Sequence, residues 1–502
     1  MEQGKLSDTL AGREPQEPNA ADIALYRQFS AAQHMARATS QFFTCPSARF
    51  PLAGKGDVNL YALFAETCCH LCKPDGHVGI LVPSGIATDA GTSDFFGSLV
   101  DNQRLMCLYD FENRAKLFPA VDSRLRFSAL VSARSDTVTA SFFLTHPQQL
   151  QEAPRRLTFA AQDFRTINPN TGTIPIPRSA KDAELMLKVY AKVPVLINEV
   201  SNQNPWGIKF CRMLDMTNDS GLFLTAPTAT ALPLYEGKLI HHFDYRYNTF
   251  DNAGGDAKER DVTVQEKQDT RFEISPRYWV ERKDVLEKLP DCCKGTPKWF
   301  IGFRDICRAT DERTFIMSFL PFVGVGNTLP LLFISQQHHS KACCLVAAGA
   351  SLVVDYIMRM KLGGTHMNFI YARQAPILPP ESYSDAAVEY ITERVVKLTY
   401  TSESMRPFAE DMGYMGDPIV YDDAERAVWR AELDAVYAKL YGLSKDELAY
   451  ILDPATFYKE KCPTVTFPTL KANEIKAYGE YRTQRLVLGA FDRVPDFTIP
   501  KP

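Results

Sequence analysis

The sequence has no apolar run long enough to cross a membrane. Its longest apolar stretch, Ala342–Val354, covers 13 residues, whereas a membrane-spanning helix needs about 20. The first residues of the chain are polar and charged, so they lack the apolar segment that a signal peptide requires. We therefore expect a soluble, cytoplasmic protein that makes no contact with a membrane.

The sequence also lacks an excess of positive charge. It has 56 Lys and Arg against 60 Asp and Glu, for a net charge of -4, which excludes a chain that is basic overall, as histones are. Nucleic-acid binding stays open, because it needs only a local basic surface. The 502 residues, 45% of them hydrophobic and 23% charged, are typical of a globular protein and long enough for two to four domains.

The 12 cysteines do not form the paired clamps of a zinc site. Cys68, Cys69, His70 and Cys72 lie together, but a structural zinc site typically uses two such clamps, and the second is missing. The adjacent pairs 292–293 and 343–344 would point to opposite sides of a regular element. We predict that the cysteines are small buried apolar residues in a reducing compartment, and that the protein holds no metal.

Four regions follow one another along the chain. Residues 1–45 are polar and then helical, 46–145 alternate helical and strand patterns, 146–380 are irregular and rich in aromatic residues, and 381–502 are mainly helical. The alternation in the second region is typical of a doubly wound sheet of the α/β class. Its predicted elements are helices Asn59–Cys72 and Thr92–Asn102 and strands His77–Pro83, Arg104–Phe111 and Phe127–Ala133.

Several blocks of the sequence resemble those of one enzyme family. The blocks are Asp57 to Phe64, the strand that ends in Val82-Pro83, Tyr109 to Arg114 with Leu117-Phe118-Pro119, Pro233 to His241, Gly302 to Thr310, Gly363 to Phe369, and Gly479 to Thr483. In this order they resemble the DNA adenine-N6 methyltransferases of type IIG restriction–modification and phage-exclusion systems. The resemblance implies a DNA-modifying enzyme that uses S-adenosylmethionine.

The resemblance also implies an architecture. Residues 46–145 correspond to the C-terminal part of a methyltransferase domain, with a partial doubly wound sheet. Residues 146–380 correspond to a mixed α+β domain that recognises the DNA target. The helical C-terminal region, 381–502, and the N-terminal segment, 1–45, flank these two parts.

Two motifs of that family are missing from the sequence. There is no glycine-rich cofactor loop after a strand, and no Asn/Asp-Pro-Pro-Tyr/Phe tetrapeptide; Pro379-Pro380 follows Ile377-Leu378. The chain therefore resembles the C-terminal half of such an enzyme, which would bind double-stranded DNA but would need a partner chain carrying the first half for methyl transfer. A non-catalytic DNA-binding or specificity subunit, and an inactive gene fragment, are the alternatives.

The resemblance assigns roles near the methyltransferase site to three residues. Phe118 corresponds to an aromatic residue that stacks on the flipped adenine, which must leave the duplex before its amino group can react. Packing at the end of a strand would explain Phe118 equally well. Asn59 and Tyr61 correspond to positions beside the cofactor pocket, although a helix-start Asn and a packed Tyr are ordinary alternatives. No catalytic residue is assigned.

Candidate DNA-binding residues come from the third region. Side chains that donate to phosphates and base edges are the usual means of DNA recognition, although surface or ion-pair roles would also explain each arginine. Two glycines let a backbone approach a phosphate closely, but they can also simply end a helix. The candidates are Arg277, Tyr278, Arg304, Arg308, Arg313, Gly363, Gly364, Thr365 and His366.

One consequence of the missing half concerns the strand Val78–Val82. In the complete family this strand is interior and lies beside the strand that carries the catalytic tetrapeptide. Without that neighbour its backbone N–H and C=O groups stay unpaired on one side, and such an edge pairs with other chains or aggregates. We predict either an obligate partner or poor solubility of the chain alone.

Overall fold

The structure is a computed structural model with a mixed α/β fold of several small sheets and many helices. It describes residues 19–497 except 46–48, 57, 253, 255–256, 294–297, 459–461 and 463. The predicted polar segment before residue 19 and Asp57 of the first block lie outside the described residues.

The described chain begins with a long helix, α1 (Ala20–Thr44). The side chain of Asn19 accepts hydrogen bonds from the N–H groups of Ala21 and Asp22, both at 2.9 Å, and so caps the helix. None of its 25 residues is buried, although Leu25, Phe29 and Phe42 are large and apolar. The packing of α1 against the described residues therefore contributes little to its stability.

The first sheet has five strands in the order β1-β3-β2-β4-β5. β1, β2 and β4 run in one direction, while β3 and β5 run antiparallel to their neighbours. β1 is the edge strand, since among the described residues it pairs only with β3, from Val78 opposite Ser132 to Pro83 opposite Phe127. The strands are β1 (Val78–Pro83), β2 (Leu105–Glu112), β3 (Arg126–Ser132), β4 (Thr137–Leu144) and β5 (Leu157–Ala160).

Short helices connect and cover this sheet. They are α2 (Leu60–Leu71), α3 (Gly85–Thr88), α4 (Ser93–Asp101) and α5 (Ala161–Ile167). Ile86, Phe96, Leu130 and Phe164 belong to the core that they form with the sheet. β5 and α5 extend this unit beyond residue 145, where the sequence pattern had placed its end.

The sheet order differs from a wholly parallel, doubly wound arrangement. β3 lies between β1 and β2 and is antiparallel to both. The physical reason is the connection from β2 to β3, which contains no crossover element long enough to return the chain for a parallel pairing. The α/β character and the bounds of these elements follow the sequence patterns closely, and those patterns made no prediction of the strand order.

The third region contains three smaller sheets, of orders β10-β7-β13, β12-β11-β14-β6 and β8-β9. Its strands are β6 (Lys209–Cys211), β7 (Ala231–Tyr235), β8 (Asn248–Phe250), β9 (Glu259–Asp261), β10 (Trp279–Glu281), β11 (Trp299–Phe303), β12 (Met317–Pro321), β13 (Gly324–Val325) and β14 (Leu331–Phe333). Its helices are α6 (Ala180–Lys192), α7 (Val264–Gln268), α8 (Arg282–Lys288), α9 (Ala342–Ala350), α10 (Leu352–Arg359) and α11 (Phe369–Arg373).

The apolar stretch at 342–354 forms two helices, whereas its sequence predicts one. Ser351 ends α9 and caps α10, because its side chain accepts a hydrogen bond from the N–H of Val354. The two helices meet at an angle of 52°. Both are buried throughout, as the prediction of a core helix requires.

The C-terminal region is helical and shares its core with the third region. Asp422 caps the helix Asp423–Leu440 through a 2.8 Å hydrogen bond from the N–H of Glu425, and Gly442, at a φ of 77°, follows its end. Both agree with the sequence prediction. The helices are α12 (Asp385–Thr399), α13 (Arg406–Asp411), α14 (Asp423–Leu440), α15 (Lys445–Leu452), α16 (Ala455–Tyr458), α17 (Pro468–Tyr478) and α18 (Arg482–Phe491).

Three further predictions bear on membranes and metals. No single helix among the described residues is long and apolar enough to cross a membrane; the bent pair Gln336–Ala350 and Leu352–Arg359 passes by length and composition alone. In the same part of the chain, no group of three or more His, Cys, Asp or Glu is placed to hold a metal ion. Cys343 and Cys344 are buried, but Cys68, Cys69 and Cys72 are only half-buried, so the prediction of burial is wrong for these three.

Candidate functional site

Three parallel strands of the first sheet end at the same edge. Pro83, Glu112 and Leu144 are the last residues of β1, β2 and β4, and we call their side of the sheet the carboxyl edge. The carboxyl ends of strands are where ligands commonly bind in open α/β sheets, because the following loops can surround a ligand there. The candidate site is therefore built from this edge.

A buried carboxylate ties the carboxyl edge together. Asp110 in β2 accepts hydrogen bonds from the hydroxyl of Ser84, from the hydroxyl of Ser128 at 3.2 Å and from Nε of Arg126 at 3.1 Å. Ser84 follows β1, while Ser128 and Arg126 lie in β3. One side chain thus fixes the relative positions of three strands.

Phe118 lies on the loop that follows this edge. The side-chain amide of Asn113, which is fully buried, donates to the carbonyl of Phe118 at 2.9 Å and of Val121 at 3.0 Å, and its oxygen accepts from the N–H of Phe118 at 2.9 Å. The ring of Phe118 meets Phe127 edge to face at 4.9 Å and is 40% exposed. It is both packed and accessible, so its two alternative roles stay open.

Asn59 and Tyr61 lie at the start of α2. Asn59 is exposed and precedes the helix without a side-chain capping bond. Tyr61 is half-buried; burial, followed by the charge of Asp89, raises the pKa of its hydroxyl. That hydroxyl lies 3.1 Å from the position that a Cβ would take at Gly85, next to the carboxyl edge. Tyr61 is thus close to the candidate site, while its role beside a cofactor stays a prediction.

The four residues Gly363 to His366 form an exposed turn that lies against the same edge. A Cβ at Gly363 would stand 3.4 Å from the hydroxyl oxygen of Thr88, in the segment that follows β1. Gly364, Thr365 and His366 are also exposed. The structure therefore brings the predicted glycine turn and the start of the first sheet together.

The block at 304–308 holds this turn in place. The N–H of Cys307 donates to the carbonyl of Thr365 at 3.1 Å, and the N–H of Met367 donates to the carbonyl of Asp305 at 2.6 Å. Nδ1 of His366 lies 2.9 Å from Oδ2 of Asp305. Since the side chain of His366 is 59% exposed, its ring is oriented by the carboxylate while still facing outward.

Arg308 lies beside this turn and has the properties of a contact residue. It is exposed, and its guanidinium has neither a hydrogen bond nor an ion pair to the residues that the structure describes. Such a group can reach a phosphate or a base edge without first losing an internal partner. Of the predicted arginines, Arg308 fits the DNA-binding hypothesis best.

Arg304 and Arg313 are used inside the protein. Arg304 donates to the carbonyls of Gly237 at 3.0 Å and Ile240 at 2.6 Å, which joins the block at 302–310 to the block at 233–241. Nε of Arg313 lies 2.7 Å from Oδ2 of the buried Asp355. A contact with DNA would have to replace these bonds, so their geometry favours an internal role, and their DNA-binding role stays a prediction.

Arg277 and Tyr278 immediately precede β10, in a different sheet from the block at 304–308. Nε of Arg277 donates to the carbonyl of Gly254 at 3.1 Å, and its guanidinium lies 5.3 Å from the ring of Tyr278. Tyr278 also stacks on Phe223 at 5.7 Å. These contacts neither bring the two residues to the exposed turn nor test their predicted role.

The sequence patterns missed two residues that shape the site. Asn113, which organises the loop of Phe118, lies within the block that resembles the methyltransferases, so that block was the available signal. Arg178 lies beside the carboxyl edge, with its guanidinium 3.8 Å from the centre of the Phe143 ring. No motif surrounds Arg178, and only the fold brings it to this edge.

Comparisons with known proteins give matches among solved structures only. No family model and no curated protein matches the chain. It is similar to the type IIG restriction endonuclease BpuSI, at 12% identity over 86% of this chain with a TM-score of 0.28. It is also similar to the type IIL restriction–modification enzyme MmeI in complex with DNA, at 12% identity over 79% with a TM-score of 0.36. The third is the DrdV–DNA complex, at 10% identity over 88% with a TM-score of 0.34.

The chain spans about half the length of these three proteins. It covers 53% of the BpuSI chain and 52% of each of the other two.

Proposed function

We propose that this chain is the DNA-recognising part of a restriction–modification methyltransferase that modifies adenine at N6 with S-adenosylmethionine. The observation that carries the proposal is the convergence of the sequence blocks. The blocks at 233–241 and 302–310 are joined by Arg304, and those at 302–310 and 363–369 by the backbone bonds of Asp305 and Cys307. Blocks from distant parts of the chain thus contact one another, and the last of them reaches the carboxyl edge at Gly363.

The residues at this edge support specific roles in the proposed function. Phe118 would stack on the adenine once it has left the duplex, and the exposed turn, Gly363 to His366, with Arg308 would contact the DNA backbone. Asn59 and Tyr61 would lie beside the bound cofactor. No residue in the chain matches the family's catalytic tetrapeptide, so the groups that orient the adenine amino group would come from elsewhere.

The open side of β1 supports the need for a partner chain. The N–H of Ser84 donates to the carbonyl of Arg126, the first residue of β3. In an antiparallel pair, successive N–H groups of a strand point alternately toward and away from the neighbouring strand. The N–H groups of Gly79 and Leu81 therefore point away from β3. Leu81 is 59% exposed, and Phe64 on the adjacent α2 is 62% exposed. A strand and a helix from a partner would cover this edge and this apolar face.

The proposal is tested first by DNA binding. The purified chain should bind double-stranded DNA, with an affinity that falls steeply between 50 and 200 mM salt as phosphate contacts are lost. If the chain does not bind duplex DNA at low salt, the proposed recognition role is wrong.

Methyl transfer tests the requirement for a partner. Labelled S-adenosylmethionine should transfer no methyl group to DNA in the presence of this chain alone. Transfer should begin when a second chain that carries the glycine-rich loop and the Asn-Pro-Pro-Tyr motif is co-expressed. Transfer by this chain alone would contradict the proposal, and DNA binding without transfer in any assembly would favour a specificity subunit.

A further inference from the structure

A cavity of about 230 Å³ lies between the carboxyl edge and the third region. It is bounded on the first side by Arg114 and Phe143 and on the other by α10 and by residues from Thr464 onward. Three arginines line it, together with one carboxylate and several threonines. The groups used below are Arg114, Arg178, Asp182, Thr310 and Arg359.

Most charged groups of this cavity are already paired. Nε of Arg114 lies 2.8 Å from Oε2 of Glu112. Arg359 donates to Oδ1 of Asp355 at 2.6 Å and to three backbone carbonyls. Asp182 accepts hydrogen bonds from the hydroxyls of Tyr356 and Tyr450, both at 2.8 Å. The donors of Arg114 and Arg359 are therefore already engaged.

Arg178 is the exception. Its guanidinium has no ion pair or side-chain hydrogen bond to any residue that the structure describes; it stacks on Phe143. The carboxylates of Glu112 and Asp182 attract it through space without forming an ion pair with it. Burial lowers the pKa of Arg178, but a guanidinium stays charged at neutral pH. The cavity therefore contains a charged guanidinium whose donors have no partner among the described residues.

We propose that this cavity binds a phosphate group, held by Arg178 and closed from the solvent side by Arg114. A planar guanidinium donates two parallel hydrogen bonds to phosphate oxygens, and the ring of Phe143 keeps that plane in one orientation. Arg114 is 71% exposed, so it can move onto the ligand while Arg178 stays in place. The hydroxyl of Thr310 supplies a further donor at the wall.

The phosphate is assigned to the backbone of DNA, and this part of the inference rests on the proposed function. The cavity opens beside the loop that carries Phe118, because Arg114 and Phe118 both belong to the segment that follows β2. A nucleotide whose base stacks on Phe118 would bring its own phosphates to the same edge. Arg178 would then fix the DNA strand next to the displaced base.

The test compares arginine variants in DNA binding. Arg178→Gln should weaken binding to a duplex about tenfold and reduce the slope of log affinity against log salt by about 0.9, the value for one lost phosphate contact. Arg178→Lys should recover part of the affinity, since it keeps the charge but loses the two parallel bonds. The matched control is Arg485→Gln, which removes an exposed arginine of α18 that pairs with Glu480. This variant should leave the slope unchanged.

A second measurement separates this inference from the proposed function. Inorganic phosphate, at matched ionic strength, should raise the thermal unfolding temperature of the wild type and leave that of Arg178→Gln unchanged. Protection by phosphate in a chain that does not bind duplex DNA would overturn the assignment to DNA. Unchanged duplex binding and unchanged phosphate protection in Arg178→Gln would overturn the site itself. If that variant does not fold, Arg114→Gln, at an exposed position, decides by the same two measurements.

Discussion

The strands β1 and β11 are alike in length and apolar character but differ in their surroundings. Both are short and apolar, yet β11 lies between β12 and β14 with all five residues buried. β1 has one neighbour in the described chain, and only Val82 in it is buried. An apolar sequence predicts a strand but does not determine how many strands lie beside it. The uncovered apolar side of β1 is therefore the strongest structural argument for a partner.

The largest effect is expected from introducing a charge into each strand. Ile301→Asp, in β11, should lower the free energy of unfolding by more than about 4 kcal/mol, because the carboxylate would be buried without a partner. Leu81→Asp, in β1, should change it by less than about 1 kcal/mol, because that side chain is exposed. Urea unfolding of both variants provides the comparison, and equal losses would mean that β1 is covered within the chain.

The buried region should also depend strongly on Asp355. Its carboxylate pairs with Arg313 at 2.7 Å and Arg359 at 2.6 Å, and these two charges hold its pKa below the usual value although burial alone would raise it. Asp355→Asn should cost about 3–5 kcal/mol of unfolding free energy, because it leaves buried guanidinium groups unpaired. Glu480→Gln, which removes the exposed pair with Arg485, should have no measurable effect. A small loss in Asp355→Asn would contradict this account of the core.

The free energy of unfolding should also depend on pH through Asp434. Burial, against the effect of Arg313, raises the pKa of its carboxyl to about 6. A pKa that is raised in the folded state means that the proton stabilises the fold, so this contribution is complete below about pH 4 and lost as the pH rises through about 6. The loss is on the order of 3 kcal/mol, the free energy that separates a pKa of about 6 from the ordinary value of about 4.

Urea unfolding between pH 4 and 7 measures this contribution. Asp434→Asn should remove that part of the pH dependence, because the amide oxygen still accepts the hydrogen bond from the N–H of Leu352. If the free energies of unfolding of the wild type and of Asp434→Asn change with pH in parallel, the pH dependence does not come from Asp434.

The smallest effect is expected at Phe118, the exposed aromatic residue on the loop after β2. Wild-type protein should prefer a duplex with an unpaired adenine over an intact duplex, because the cost of unstacking is reduced. Phe118→Ala should reduce this preference by about 1–3 kcal/mol, the range for stacking of one base, and fluorescence anisotropy with both duplexes measures it. An unchanged preference together with reduced stability would show that Phe118 is only a packing residue.

The sequence patterns predicted the strands of the first sheet and the helices beside it well. The bounds of α2, α4, β1, β2 and β3 agree with the predicted ranges to within one residue, because clear turns and regular apolar spacing separate them. The same patterns could not show that β3 inserts between β1 and β2, since strand order depends on long-range pairing.

The site was less predictable than the elements. Arg304, Arg308 and Arg313 are alike in sequence, yet Arg304 and Arg313 turn inward to acceptors that are distant along the chain, and Arg308 faces outward. Ser351, in an apolar run, interrupts a helix that composition alone would continue. The importance of Arg178 depends on which carboxylates are already paired, and this is known only once the chain is folded.

Hydrogen exchange of the backbone amides in β1 tests the central claim most directly. In a chain shown by light scattering to be monomeric, the amides of Gly79 and Leu81 should exchange rapidly, while those of Ile80 and Val82, which face β3, and the paired amides of β11 are protected. Addition of a partner that supplies a strand should protect Gly79 and Leu81. Protection of these two amides in the monomer alone would contradict the claim that β1 is an open edge.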